Sequence, residues 1–361
     1  MTDTQLFFRR MLIFLEIPII VGFVIALFSP IDWFNFRSWE ALLPAVISVE
    51  GSFYPNQYLE KIEVGDLGVR TDYAIDKYVE FYTDNYGFRY DGAPDTLIDI
   101  VIVGDSFTVG SALTQGDTIA NQLGARLDRT VYPYAPASLT QYMQDARFVD
   151  NPPQYVLLQV VERNLGRNLC TASNLPVARP PSEISSQWLN SLIRIDIVLR
   201  TPVYAYGYFT SLRSETQVIA NQETHMLFFD NSLNPPNIDI EALRTQLLNC
   251  QQWLEERGSQ LIFMPIPDKE TVYFDDIPQS HRPDMSFAER RQAIVDVIIS
   301  TREMGILTVD FLTASETAYN SGQRLYQLDD THWNADGVTL AVDLVQELLE
   351  TEIGMNNGNS E

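Results

Sequence analysis

A serine hydroxyl is a weak nucleophile until an imidazole accepts its proton and an acid fixes the imidazole's tautomer. Two stretches of this 361-residue sequence offer those three groups. The first is Val101-Ile102-Val103-Gly104-Asp105-Ser106-Phe107, an apolar run that stops at a Gly-Asp-Ser turn. It reads as a buried strand whose turn presents the Ser106 hydroxyl at the C-terminal edge of a sheet, where open α/β sheets bind ligands. The second is Asp329-Asp330-Thr331-His332-Trp333-Asn334. Ser106 is the candidate nucleophile, His332 the candidate base and Asp330 the candidate acid, with Asp329 its rival. Gly-Asp-Ser alone is weak evidence, expected by chance in about one chain in ten of this length. The remote histidine block gives it meaning. His225 and His281 sit in loop-like contexts without matching acids and read as surface residues. Asp105 reads as a hydrogen-bonding residue of the turn.

The elements that must position these groups follow from periodicity. Strand-like runs fall at 98–104, 130–134, 155–161, 260–266 and 306–311, and helix-like stretches at about 115–128, 138–148, 240–257, 286–304 and 336–352. Ser286-x-x-Glu289 has the form of a capping box, and Gly258 and Gly305 stand where helices stop. Alternating strands and helices imply an α/β domain with a doubly wound, mainly parallel sheet. The last helix lets the 329–334 loop fold back over the edge that carries Ser106. Residues 163–238 interrupt the alternation and are rich in Asn, Pro, Ser and aromatics, among them Trp188, Tyr204, Tyr206 and Tyr208. They read as an inserted region beside the sheet edge, either a cap shaping a substrate groove or a piece with its own small core. The expected organisation is an N-terminus and anchor at 1–30, a stalk and lead-in at 31–95, a catalytic domain at 96–352 and a polar tail at 353–361.

The net charge of -24, with a pI of about 4.4, repels phosphate backbones and excludes nucleic acid as the expected partner. It also disfavours a polyanionic substrate. Cys170 and Cys250 are too few for a disulfide scaffold and lack zinc spacing. Pairing outside the cytoplasm and two buried thiols both remain open. No metal and no cofactor is expected. Met11 to Phe28 is an apolar run broken by Glu16 and Pro18 and preceded by Arg9-Arg10, with no small-x-small cleavage site after it. It reads as a retained single-pass transmembrane anchor at the short end of spanning length. The arginine pair places the N-terminus in the cytoplasm and the rest of the chain outside. Trp33, Phe34, Phe36 and Trp39 suit the outer interface, and Glu16 lies towards the inner one.

Gly104-Asp105-Ser106-Phe107 and Asp330-Thr331-His332-Trp333 resemble the serine and histidine blocks of SGNH-type (GDSL-like) hydrolases. The closer likeness is to their alginate O-acetyltransferase-like branch, which O-acetylates exopolysaccharides. Gly87-Phe88-Arg89 looks like that branch's GFR lead-in, and the run from Pro265 through Lys269 to Tyr273 resembles its P-x-K-x-x-x-Y segment. The anchor is similar to that of membrane-tethered members. The resemblance covers about residues 85–350. It implies a flavodoxin-like sheet, an acetyl-serine intermediate, a polysaccharide acceptor and a membrane-bound O-acyltransferase partner as source of the acetyl group.

The sequence departs from that pattern in two ways. In the alginate enzymes the histidine block precedes the serine block, whereas here serine comes first, as in ordinary SGNH esterases. The usual oxyanion blocks are also altered. Tyr134-Ala135-Pro136-Ala137-Ser138 stands where a glycine amide is expected, leaving the N–H of Ala137 or Ser138 to serve, and Val161-Glu162-Arg163-Asn164 offers Arg163 or Asn164. Ordinary SGNH hydrolases place the acid three residues before histidine, which is Asp329; the acetyltransferase branch places it two before, which is Asp330. Trp333 beside the histidine favours Asp330. Lys269 either binds substrate or ties down its loop. Ser138, Arg163, Asn164, Lys269 and Trp333 thus form the candidate oxyanion or substrate-binding set. The expected function is extracytoplasmic O-acetylation of a cell-envelope or secreted polysaccharide. The alternatives are a carbohydrate acetyl esterase and a non-catalytic polysaccharide-binding envelope protein.

Overall fold

In the computed structural model the described residues are 3–28, 37–45, 51–69, 71–92, 97–170, 192–200 and 218–358. Trp188, Tyr204, Tyr206, Tyr208 and the aromatics Trp33, Phe34 and Phe36 lie outside them. Half of the 163–238 insertion, residues 171–191 and 201–217, lies outside them too, so its reading as a cap or a separate core is left where the sequence put it.

While β6 (Val218–Ala220) and β7 (Leu227–Phe229) form a separate antiparallel pair, five apolar runs form one parallel sheet: β3 (Ile100–Val103), β4 (Val131–Tyr134), β5 (Tyr155–Val161), β8 (Gln260–Ile266) and β9 (Leu307–Thr308), in the spatial order β4-β3-β5-β8-β9. This is the flavodoxin-like doubly wound order, and the direction of winding reverses between β3 and β5. Both faces are covered, so the strands are apolar throughout rather than alternating with polar residues. Ile100, Ile102, Leu157, Ile262 and Met264 face α4 (Ile119–Leu127), α11 (Phe311–Asn320) and α12 (Ala335–Gly358). Val101, Val103, Val156, Leu158, Leu261 and Phe263 face α5 (Leu139–Met143), α6 (Ala146–Asp150), α8 (Ile240–Glu255) and α10 (Phe287–Glu303). The period-two alternation of side chains along each strand sorts these residues into two cores.

Local chemistry sets the helix limits. Thr118 accepts from the N–H of Asn121 and starts α4 later than the 115 expected. The stretch 138–148 is two helices, because Asp145 accepts from the N–H of Arg147 and caps a new one. Ser286 and Glu289 form the reciprocal capping box on α10, and Gly258 and Gly305 adopt φ +83 and +75 after their helices. The strand expected at 306–311 is shorter, because Asp310 already caps α11.

The lead-in is more ordered than a stalk. Within it are α2 (Ser38–Leu42) and an antiparallel hairpin, β1 (Tyr58–Glu63) and β2 (Lys77–Tyr82). Leu42, Phe53, Tyr54 and Phe81 pack with Val109 and Ala135 of the α/β domain in a third core. Arg89, the arginine of the GFR stretch, is buried and donates to the carbonyls of Glu80, Val109, Gly110 and Leu113 and to the Gln115 side chain. It thereby pins the chain that leaves Ser106 against the hairpin.

At the N-terminus, residues Asp3–Phe28 form one helix, α1. Among the described residues no helix is long and apolar enough to cross a membrane, so the span expected over 11–28 has no support from the fold. Several of the α1 side chains, among them those of 12, 13, 15, 18 and 19, are outside the described residues.

Candidate active site

Ser106 opens α3 (Ser106–Val109), the short helix that follows β3. Asp105 caps it by accepting from the N–H of Phe107 at 3.0 Å. Only glycine fits at position 104, where a Cβ would meet Thr108 Oγ1 at 2.1 Å and the carbonyl of Gln159 at 3.1 Å. The strand therefore reaches the turn without a side chain in the way, and the half-buried hydroxyl of Ser106 emerges at the sheet's C-terminal edge.

The histidine block arrives from the opposite end of the chain. Tyr326 bridges to Trp333, and the N–H of Gln327 donates to the carbonyl of His332, closing the loop between them. Asn334 accepts from the N–H of Gly337 and starts α12. Within that loop His332 Nε2 lies 2.7 Å from Ser106 Oγ, and Nδ1 lies 2.5 Å from Asp330 Oδ1. With Nδ1–H donating to the carboxylate, Nε2 carries a lone pair towards the serine hydroxyl. Asp330 also accepts from the backbone N–H of His332 and, through Oδ2, from that of Asp66. Burial by itself would raise the Asp330 carboxyl, but the facing His332 ring holds it well below the ordinary carboxylate range, with Arg37 adding to the effect. The Phe107 ring packs on the imidazole with centroids 4.7 Å apart and limits its swing.

Asp329 points elsewhere. Its Oδ2 accepts from the N–H groups of Gly65 and Ile75, and its Oδ1 pairs with Lys77 Nζ at 2.5 Å. Its carbonyl accepts from Leu67 and Gly68. The rival acid is thus a brace between the histidine loop and the hairpin, and the carboxylate beside the imidazole is that of Asp330. The glycines opposite are required, since a Cβ at position 65 would meet the Asp329 carbonyl at 1.9 Å.

The candidate oxyanion and substrate residues divide. The N–H of Ala137 donates to the carbonyl of Gly104 at 2.9 Å, and that of Ser138 to Gln141 Oε1 at 2.8 Å. Neither amide is available, because Ser138 is occupied as the cap of α5. Asn164 Nδ2 donates to Asp105 Oδ2 at 3.1 Å, which leaves its second N–H at the end of β5 near the serine turn. Arg163 pairs with Asp268 and lies over the Phe107 ring, so it braces the turn. Lys269, fully buried, directs its ammonium at the carbonyls of Gln327, Leu328 and Asp330 at 2.6, 3.0 and 3.0 Å. These contacts tie the loop down. Burial lowers the Lys269 ammonium to about 8. Trp333 is fully buried against Phe107 and Phe311, so it is a floor beneath the turn and does not face substrate.

A cavity of about 330 Å³ opens beside the serine turn at the point where winding reverses, walled by Gly104, Asp105, Leu139, Leu158, Val160 and Asn164. It falls in the size range of small-ligand sites. Asp66, Asp330 and His332 are the described residues close enough together to hold a metal ion. Their atoms are hydrogen-bonded to one another and to Thr331, and Nε2 faces Ser106, an arrangement suited to moving a proton. Asp66 and Arg37 were not among the sequence candidates. The Gly65-Asp66 pair, a turn-forming dipeptide, was the available signal.

Residues 224–360 match the family model for the SGNH hydrolase-like domain of the acetyltransferase AlgX. The match takes in Lys269, Asp330 and His332; Ser106 lies before it. Comparison with curated proteins gives no match. Among solved structures, TesA aligns at 12% identity over 70% of this chain and 98% of that one, TM-score 0.37. The psychrotrophic esterase EstA from Pseudoalteromonas sp. aligns at 12% over 71% and 98%, TM-score 0.36. The salicylyl-acyltransferase SsfX3 from a tetracycline biosynthetic pathway aligns at 13% over 77% and 64%, TM-score 0.35. These alignments are too distant to bear on the site. Residues 224–360, with the histidine loop they carry, are thus similar to the SGNH hydrolase-like domain of AlgX.

Proposed function

We propose that this protein transfers acetyl groups to hydroxyls of an extracytoplasmic polysaccharide through an acetyl-serine. The observation that carries the proposal is the contact chain from Ser106 Oγ to His332 Nε2 and from His332 Nδ1 to Asp330, at 2.7 and 2.5 Å. Ser106 Oγ attacks the carbonyl carbon of the acetyl donor while His332 Nε2 takes its proton. The tetrahedral oxyanion collapses, the bond to the leaving group breaks, and that group takes the proton from His332. A sugar hydroxyl then attacks the acetyl-serine, gives its proton to His332, and departs acetylated when the Ser106 oxygen is expelled and reprotonated. The Ser106 N–H at the start of α3 and the second N–H of Asn164 are the oxyanion donors; Arg163, Ser138 and Ala137 are committed elsewhere. Loss of one such donor typically costs about a hundredfold or more in rate, so the pair is a sensitive part of the site.

Hydrolysis uses the same residues with water in place of the sugar. The order of the chain, serine before histidine, is that of ordinary SGNH esterases and favours this second reading. The two separate in one experiment. A chromogenic acetyl ester is supplied with and without neutral, amino-sugar and uronic-acid oligosaccharides, to wild type and Ser106→Ala. Acetylated oligosaccharide and an acetylated Ser106 peptide support transfer. Acetate release that no acceptor alters leaves the esterase. Equal rates for wild type and Ser106→Ala remove the serine mechanism altogether, leaving a binding module. The net charge of -24 favours a neutral or amino-sugar acceptor over a polyanion.

Membrane attachment through α1, with the domain outside the cytoplasm and a membrane-bound acyltransferase feeding it, belongs to the same proposal. Three features support it. A 26-residue helix is about 39 Å long. Nine of its described side chains, Phe14 and Phe28 among them, are large, apolar and exposed. Cys170 and Cys250 form a disulfide, as expected of an oxidising compartment. Full-length protein that stays in the soluble fraction after cell lysis would remove the attachment.

A further inference from the structure

The imidazole of His332 has two carboxylates beside Nδ1, and the second comes from the lead-in. Asp66 lies in the loop between β1 and β2, in contact with the histidine loop. Its Oδ1 accepts from the N–H of Thr331 at 2.8 Å, and its Oδ2 from the Thr331 hydroxyl at 2.7 Å. Its own N–H donates to Asp330 Oδ2 at 2.8 Å. Asp66 Oδ2 stands 3.9 Å from His332 Nδ1, and the Thr331 hydroxyl 3.3 Å from the same nitrogen. Behind it, Arg37 at the start of α2 places Nη1 3.7 Å from Asp66 Oδ2 and Nη2 2.6 Å from Glu40.

We propose that Asp66 is a positioning residue for His332: it fixes Asp330 and Thr331, and its charge, balanced by Arg37, sets the pH at which the base loses its lone pair. This rests on the Ser106–His332 reading above. The geometry separates the two parts of the role. The three hydrogen bonds hold the acid and the neighbouring residue, and the charge acts through space on the imidazolium that forms when Ser106 gives up its proton. The consequence is that the site is not contained in the parallel-sheet domain. Residues 37–66 complete it, and the charge sequence runs Arg37, Asp66, Asp330 and His332 across three segments far apart in the chain.

The other charged groups facing the imidazole are few. Asp330 is its direct partner. From α9 (Lys269–Val272), Lys269 reaches the Asp330 carbonyl at 3.0 Å. The Arg163 guanidinium lies 5.7 Å from the centre of the Phe107 ring, and its charge is met by Asp268. Asp105 is turned into the serine turn, and the Asp329 charge is met by Lys77. Asp66 and Arg37 are thus the two charges that can be altered without touching Ser106, His332 or Asp330.

The test is the pH profile of kcat/KM on a chromogenic acetyl ester, for the full chain and the variants Asp66→Asn and Arg37→Gln. Asparagine can still accept from the Thr331 N–H and can donate to the Thr331 hydroxyl, so the loop keeps its shape while one negative charge goes. The acid limb should then move down by about one pH unit, because an imidazolium with fewer negative neighbours gives up its proton more readily. Arg37→Gln removes a positive charge and should move the same limb up. Opposite shifts establish the role. Acid limbs that coincide with the parent's, with activity merely scaled down, overturn it and leave Asp66 as loop structure. If Asp66→Asn does not fold by circular dichroism, the direction of the Arg37→Gln limb decides alone. Ser106→Ala is run alongside: activity surviving there refutes the nucleophile reading, whereas unmoved limbs with an inactive Ser106→Ala refute only the role of Asp66.

Discussion

Asp329 and Lys77 form an ion pair 2.5 Å across, and the carboxylate is fully buried. The next residue, Asp330, turns the opposite way to His332. Two adjacent aspartates in one turn therefore do different work, because the hydrogen-bond donors around each carboxylate differ. One clamps the histidine loop to the β1–β2 hairpin, and the other faces the imidazole. Spacing from histidine could nominate either. The hydrogen-bond partners decide, since Asp329 has three donors of its own at positions 65, 75 and 77.

Substituting each aspartate separates stability from rate. Asp330→Asn leaves Nδ1 without its hydrogen-bonded carboxylate and should lower kcat by about 10³–10⁴-fold in the protein that remains folded. Asp329→Asn should cost about 1–3 kcal/mol of stability, with Lys77 left short of its partner, while kcat per folded molecule stays near the parent's. Urea denaturation and active-site titration with a fluorophosphonate measure the two quantities separately. A large loss of kcat in both variants would mean that the loop tolerates no loosening and would erase the distinction.

Lys269 holds the same loop from below. Lys269→Met keeps much of the bulk but leaves the carbonyls of Gln327, Leu328 and Asp330 without their buried donor, at a cost of about 1–3 kcal/mol. Amide hydrogen exchange should accelerate at 327–332, and kcat should fall with little change in KM. A raised KM with unchanged exchange would instead mark Lys269 as a substrate contact.

Much of this could be read from residue types. The strands at 155–161 and 260–266 have the expected bounds, because each is a long apolar run buried on both faces. Ser106 and His332 were nominated by chemistry alone and lie within hydrogen-bond distance. What escaped depends on backbone partners that no side-chain pattern reports. Ala137 and Ser138 looked like amide donors, but one amide is bonded to Gly104 and the other is consumed in a capping box. Trp333 looked like a substrate contact because it adjoins the base. It is fully buried in the core against Phe107 and Phe311. The lead-in escaped for a different reason: a two-stranded hairpin has one face open to solvent, and Tyr58, Ile62 and Tyr78 on that face blur the alternation that would have announced it.

The disulfide offers a test of fold and compartment together. Cys170 follows the end of β5 and Cys250 lies on α8, 80 residues later. Closing a loop of that length stabilises the native chain by about 2–4 kcal/mol. Thermal unfolding with and without reductant should show that difference for the parent and none for the Cys170→Ser/Cys250→Ser variant. Protein purified from the cytoplasm of a reducing host should resemble the reduced form. No response of the parent to reductant would mean that the pair is not formed in solution.

Glu162 supplies a pH dependence whose sign can be worked out. It is fully buried at the end of β5, where burial raises its carboxyl to about 7, against the opposing pull of Arg290 3.4 Å away and of hydrogen bonds from Thr271 and the Asp268 N–H. An unfolded glutamate titrates near 4.3. The folded state therefore holds this proton more tightly than the unfolded state, and between about pH 4.5 and 7 its contribution to stability falls as pH rises. Above 7 the cost is fully present. Glu162→Gln carries no such cost, so the stability of the parent relative to the variant should decline across that window and then level off. Denaturant melts of both proteins from pH 5 to 8 measure the difference, with titrating groups remote from Glu162 and Asp268 cancelling between them. A difference that instead grows in the parent's favour as pH rises would show the ion pair with Arg290 outweighing the burial of the carboxylate.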